Sequence, residues 1–188
     1  MRYITTVSGV EPVTMQQVKD HLRITWEEED ALIYSFLVAA REYVEKITSQ
    51  AVIPQTIKAY YDNLPVFSGS LSLPLSNAVA ITSVKYLDSA YAQITMPSSE
   101  YYLTVGQPNK VFFKSPAPAS ADQPDSVEII YTAGYGSAPF KPFAQAIRAS
   151  ILVMVADLYE NRESQSSQKF EQNMTVERLL GMNRELGL

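Results

Sequence analysis

The spacing of apolar residues changes twice along this chain, and that change restricts the architectures open to it. Leu32, Ile33, Phe36, Leu37, Ala40, Tyr43, Val44 and Ile47 recur at the offsets of one α-helical face, and so do Phe143, Ala146, Ile147, Ile151, Met154, Val155 and Leu158. Between these stretches the pattern is two-residue alternation broken by turn formers. The middle, residues 51 to 140, carries 9 of the 11 prolines and 8 of the 12 tyrosines, a mixture of turn and strand formers. An α+β fold follows: a helical core with two N-terminal helices and one long C-terminal helix, bearing an antiparallel β-rich insertion over residues 55–132.

Local signals set the expected boundaries. Thr14 followed three residues later by Gln17 is a capping box and predicts a first helix over 14–23. A second box, Thr25 with Glu28, predicts a helix over 27–48, with Glu27 to Asp30 at the end where the helix dipole favours negative charge. Pro139 and Pro142 introduce a third helix over 142–161, whose centre at Ile151 to Ala156 is apolar all round and reads as buried on several sides. In the middle, Thr56–Tyr61, Ser70–Leu73, Tyr101–Val105, Lys110–Lys114 and Val127–Thr132 read as strands. Val84–Leu87 and Tyr91–Thr95, flanking Asp88-Ser89-Ala90, read as a hairpin. With connections this short, antiparallel pairing is expected.

At 188 residues the chain suits one domain, expected over 1–163, with a short appendage. It has no cysteine, which excludes disulfides, a thiol nucleophile and thiolate metal sites. The start, from Met1 to Thr6, lacks the long apolar run of a secretory signal, so the expectation is a protein made and kept inside a cell. The apolar run of the third helix is interrupted by Gln145, Arg148 and Asp157, so no membrane span is expected. A formal net charge of -5, with no cluster of Lys or Arg, argues against an electrostatic grip on nucleic acid. Charge is scarcest in the middle, with 4 basic and 6 acidic side chains over residues 51 to 140, which fits a surface used for subunit contacts.

Sites for chemistry are sparse. His21 is the only histidine and sits where a helix-end capping or packing role is expected. The run Glu27-Glu28-Glu29-Asp30 lacks the spacing of a calcium loop and is explained by its place at a helix start. Thr132-Ala133-Gly134-Tyr135-Gly136 lacks the residues that complete a phosphate loop and reads as a connection between the last strand and the third helix. No catalytic residue, cofactor or metal site is expected. Tyr60, Tyr61, Tyr86, Tyr91, Tyr101 and Tyr102 are candidates for an aromatic platform or a protein interface, although strand propensity accounts for most of them.

Beyond the core, Ser164-Gln165-Ser166-Ser167-Gln168 is a polar stretch, after which apolar character returns at Met174, Val176, Leu179, Leu180 and Met182. Residues 164–188 therefore read as a tether and a docking helix. An isolated helix shorter than about 12 to 15 residues is marginal in water, so this one is expected to order by docking.

Taken in order, these motifs resemble the head-tail connector (adaptor) family of tailed bacteriophages, related to the connector of lambdoid long-tailed phages. The resemblance is carried by Pro12-Val13-Thr14 with Val18 to Ile24, by Glu29 to Ile33 and Ala39 to Glu45, and by Ala51-Val52-Ile53-Pro54-Gln55-Thr56. It continues through the central Leu-Pro-Leu, Ile81 to Tyr86, Ile130 to Gly136, Pro142 with Ala146-Ile147, and Leu158 to Glu163. Val176, Leu179, Leu180 and Arg184 are similar to the family's closing motif, with Met174 and Thr175 where proline is usual.

The resemblance implies a virion neck protein without chemistry, assembled in the host cytoplasm as a ring of about twelve copies below the portal, a cyclic assembly built on heterologous contacts. Such a ring extends the DNA channel, through which DNA passes without specific binding, and it docks the next neck or tail-completion protein. Met174, Val176, Leu179, Leu180, Met182 and Arg184 are the candidate contacts to the portal or a neighbouring subunit. Two other classes compete with this reading: a carboxylate-based hydrolytic domain, requiring paired acids of raised pKa across a cleft, and a carbohydrate-binding module built on the tyrosines.

Overall fold

The computed structural model describes residues 2–7, 10–65, 69–104, 106, 108–114, 118, 120–121, 123–136, 144–161 and 174–181, leaving aside the side chains of 174, 177, 178 and 180. Among them are eight strands, β1 (Arg2–Val7), β2 (Gln55–Tyr61), β3 (Ser70–Ser72), β4 (Ala78–Leu87), β5 (Gln93–Thr95), β6 (Tyr101–Leu103), β7 (Lys110–Phe113) and β8 (Val127–Ala133). The helices are α1 (Met15–Leu22), α2 (Asp30–Thr48), α3 (Gln145–Glu160) and α4 (Met174–Gly181). Pro139, Pro142 and Phe143, and the tether at 164–168, lie outside the described residues.

α1 starts as its sequence dictates. The Thr14 hydroxyl accepts from Gln17 N–H at 3.2 Å, and the Gln17 amide oxygen accepts from Thr14 N–H at 3.1 Å. It ends at Arg23, whose left-handed φ of 58° lets Ile24 N–H reach back to Lys19 O at 2.9 Å. The His21 side chain is exposed, so the expected packing role is not the one it has, and the helix end is closed by backbone groups.

The second capping box does not form. α2 begins at Asp30, behind a turn in which Asp30 N–H bonds Glu27 O at 3.1 Å, and its cap residue Glu29 makes no side-chain capping bond. Glu29 instead accepts from the Tyr159 hydroxyl of α3, and Asp30 accepts from Lys19 Nζ of α1 at 2.9 Å. Long-range contacts therefore outweigh the local capping pattern. Along α2 the buried side is Ile33, Leu37, Ala40, Arg41, Val44 and Thr48, while Leu32 and Tyr43 face outward.

α3 packs against α1, α2 and α4. That accounts for an apolar circumference: Ile147, Ser150, Ile151 and Val155 are buried, and of its residues only Gln145 and Glu160 are exposed. Together with Val13, Val18, Ile24 and the inner side of α2, these residues make the helical core.

The strands form two antiparallel sheets over one shared core, a five-stranded sheet in the order β1-β2-β8-β4-β5 and a three-stranded sheet in the order β3-β7-β6. Alternation places Ile57, Ala59 and Tyr61 of β2 and Val127, Ile129, Tyr131 and Ala133 of β8 inward. The expected hairpin is present, with Leu87 opposite Gln93. Its turn is held by Asp88 Oδ1, which accepts from Ala90 N–H at 2.8 Å and Ala92 N–H at 2.9 Å. One expectation needs correction: the β region is not purely an insertion, because the N-terminal segment supplies β1, paired with β2 from Arg2↔Tyr60 to Val7↔Gln55.

Candidate assembly surfaces

Two short segments cross from the sheet core to the helical core, and they lie side by side. In the first, Ala51 belongs to the sheet core while Val52 and Ile53 belong to the helical core; in the second, Ala133 and Tyr135 divide the same way. Tyr135 N–H bonds Val52 O at 3.2 Å, and Gly134 N–H bonds Asn77 O at 3.1 Å. Gly134 has a φ of 130°, and a Cβ there would lie 2.2 Å from Ile53 O. Only glycine lets the two backbones approach this closely. The glycine of the Thr132–Gly136 loop is thus a close-packing device.

Polar side chains fasten the same crossing. The Tyr135 hydroxyl bonds Gln50 Oε1 at 2.8 Å, and Asn77 Nδ2 bonds the same oxygen at 3.2 Å. The Tyr131 hydroxyl, buried in the sheet core, donates to Leu75 O at 3.0 Å and accepts from Leu75 N–H at 3.2 Å. Burial pushes the Tyr131 hydroxyl far above the usual phenol range, so it stays neutral and keeps its proton for that bond.

Beside the crossing sits a buried ionic hub. Arg41, only 4% exposed, reaches Glu11 at 3.1 Å through Nε and Glu45 at 2.9 Å through Nη1. Glu45 also accepts from Val52 N–H at 2.8 Å and Gln55 Nε2 at 2.9 Å. Its pKa is raised, chiefly by burial, against the lowering effects of the Val52 N–H, Arg41 and Gln55. A raised carboxylate is one mark of acid-base chemistry, but the partners of this one are the Arg41 guanidinium, the Val52 N–H and the Gln55 amide, which fasten chain segments to one another. Among those residues no three His, Asp or Glu side chains gather into a metal-binding group, and no helix is long and apolar enough to cross a membrane.

The tyrosines do not form one platform. Tyr61 and Tyr101 are buried, the Tyr61 hydroxyl donating to Ser72 O at 2.6 Å. Their chain neighbours Tyr60 and Tyr102 point to the opposite face, as strand geometry requires. Tyr60 lies under the Arg2 guanidinium at 4.8 Å, and Tyr102 packs against Phe112 with ring centroids 5.1 Å apart. Tyr91 is exposed on the hairpin at the far edge of the large sheet.

Of the candidate docking residues, Val176 is 2% exposed and joins the helical core, Leu179 is half-buried, and α4 as a whole packs on α3 and α2 of its own chain. The side chains of Met174 and Leu180 are not among those described, and Met182 and Arg184 lie outside the described residues.

These features make a scaffold whose two cores are locked together. Residues 12–97 match the family of phage gp6-like head-tail connector proteins. The connector resemblance read from the sequence is thereby shown over this part of the chain, which holds α1, α2 and β2 to β5 and leaves out β1 and β6 to β8. Three solved structures share the fold along the whole chain. A chain in the neck of an empty gene transfer agent particle, computed with C6 symmetry, is 19% identical with a TM-score of 0.79, covering 100% of this chain and 97% of that one. A chain in the virion of the native particle is 19% identical with a TM-score of 0.80 and the same coverage. A chain in the native neck, computed with C12 symmetry, is 20% identical with a TM-score of 0.76, again with the same coverage. Among curated proteins, none matches significantly in sequence. The matched family is one of head-tail connectors, and two of these neighbours are chains of a particle neck.

The geometry explains what the connector motifs do. Glu11 beside Pro12, Arg41 and Glu45 within Ala39–Glu45, and Val52 and Gln55 within Ala51–Thr56 meet in the ionic hub. Lys19 with Asp30 and Tyr159 with Glu29 tie the helices together. What sequence reasoning missed is β1, whose six residues are all exposed and so carry no apolar alternation to detect.

Proposed function

We propose that this protein is a structural component of a phage-type virion neck that joins head to tail, assembled as a ring of about twelve copies below the portal and extending the DNA channel. The observation that carries the reading is agreement in fold over 100% of this chain with a neck component, together with the connector-family match over residues 12–97. Cyclic symmetry in those necks, C6 in one reconstruction and C12 in another, supports a ring. The net charge of -5 fits a wall that DNA slides past.

The proposed partners are other copies of the chain, the portal protein and the next neck or tail-completion protein, met in the host cytoplasm during assembly. For portal or neighbour contact we retain the terminal segment, with Met174, Leu179, Leu180, Met182 and Arg184 as the contacts, while Val176 holds α4 to its own chain. The test is complementation of a deletion of the gene encoding this chain. Filled heads and free tails should accumulate separately without the protein and join when it is restored. Normal particles in its absence would refute the role.

A further inference from the structure

Among the described residues the large sheet ends in two edges, β1 and β5, and both are unusual in the same way. Every residue of each strand is exposed. Tyr3, Ile4 and Val7 on β1, and Tyr91 and Ile94 at β5, are among the large apolar residues left in solvent. Folded proteins commonly protect a long edge with lysine, proline or a bulge. β1 has none of these: its sequence is Arg2-Tyr3-Ile4-Thr5-Thr6-Val7, and its pairing with β2 runs without a register shift over six residues. Its one charge, Arg2, is already engaged by Asp125 at 2.7 Å, and β5, Gln93-Ile94-Thr95, carries none. Covering these edges therefore desolvates no unpaired charge within either strand.

Strand parity adds a geometric constraint. Five strands joined only by antiparallel pairs place the first and last in the same direction, so β1 and β5 run parallel on opposite sides of the sheet. Subunits of a ring related by rotation about an axis along the strands keep that direction. The edge of one subunit then meets the other edge of the next in a parallel ladder. The contact uses two different patches, as a cyclic assembly requires, and a twofold β1-to-β1 contact does not meet that requirement.

We propose that β1 of one subunit pairs in parallel with β5 of the next, so that the sheets join edge to edge around the ring. This rests on the ring reading above and specifies its contact. The native chain has no cysteine, so every thiol of the variant chain is an introduced one. Ile94→Cys is combined in turn with Tyr3→Cys, Ile4→Cys, Thr5→Cys and Thr6→Cys, sampling the possible registers. Paired strands lie about 4.8 Å apart, within the Cα separation a disulfide accepts.

After mild oxidation of full-length protein and of assembled particles, at least one double variant should give a covalent ladder rising to the full ring, while each single variant stays monomeric under denaturing conditions. A ring seen by native mass spectrometry with no cross-link in any of the four doubles overturns the edge contact and leaves the ring standing. A covalent dimer from a β1 single variant means twofold pairing and also overturns it. Absence of this chain from particle necks removes the ring reading and this inference together.

Discussion

Replacing Gly134 by alanine tests the lock between the two cores. The new Cβ would lie 2.2 Å from Ile53 O, 2.5 Å from Ile53 C and 2.7 Å from Pro54 N, all backbone atoms. No side-chain rotation relieves that overlap, so one crossing segment must move away from the other. A non-glycine residue at a φ of 130° carries a backbone strain of roughly 1–3 kcal/mol. Crowding a packed site adds roughly 1–3 kcal/mol, and the lower entropy of the unfolded alanine chain returns roughly 0.4–1 kcal/mol.

At the middle of these ranges the net loss is about 3 kcal/mol, which at about 2–4 °C per kcal/mol for a chain this size lowers Tm by about 6–12 °C. Gly106 is the control. Its φ of 149° imposes similar backbone strain, but a Cβ there meets nothing within 4 Å. Gly106→Ala should therefore cost only about 1–2 kcal/mol, the conformational part of the effect. The assay is thermal and urea unfolding of both variants beside the native protein. Losses equal to within about 0.5 kcal/mol would refute the reasoning, because the contact with Ile53 would then contribute nothing beyond φ.

Three further perturbations probe the scaffold. Arg41→Met leaves Glu11 and Glu45 buried without their cation and should destabilise by about 3–5 kcal/mol, read by urea unfolding; adding Glu11→Gln and Glu45→Gln should recover part of that loss. Glu45 has a folded-state pKa above its unfolded value of 4.5, so the folded protein holds the proton more tightly and stability declines as pH rises from 4.5 through the folded pKa, then levels off. Glu45→Gln should remove that decline, and an unchanged stability-pH profile would contradict the assignment. Val176→Asp buries a charge in the helical core and should release α4, raising amide exchange across Met174–Gly181 at least tenfold while leaving β2 and β8 protected; unchanged exchange would show that Val176 does not hold the helix.

What the sequence revealed and what it hid have physical causes. Buried alternation made β2 and β8 legible, because every second side chain faces one core. α3 was legible as a buried helix because it is surrounded by three others. The start of α2 was misjudged because a local capping signal at Thr25 and Glu28 competes with Lys19 and Tyr159, partners 11 and 130 residues from Asp30 and Glu29. β1 was invisible for the opposite reason: all six of its residues are exposed, so no buried side calls for an apolar alternation. The same exposure that hides it from pattern reading makes it a candidate contact. The connector motifs were legible as an ordered series, but what brings several of them together, the hub of Glu11, Arg41 and Glu45 beside the crossing of the two cores, emerged only when the chain was seen folded.

The central claim is that this chain forms a ring in the neck of a particle. A cryo-electron microscopy reconstruction of purified particles, with cyclic symmetry applied around the neck, tests it most directly. The account predicts a single ring of this fold between portal and tail, with the DNA path through its centre. A neck whose density at that position is filled by other proteins, with this chain absent or present as isolated monomers elsewhere, would contradict it.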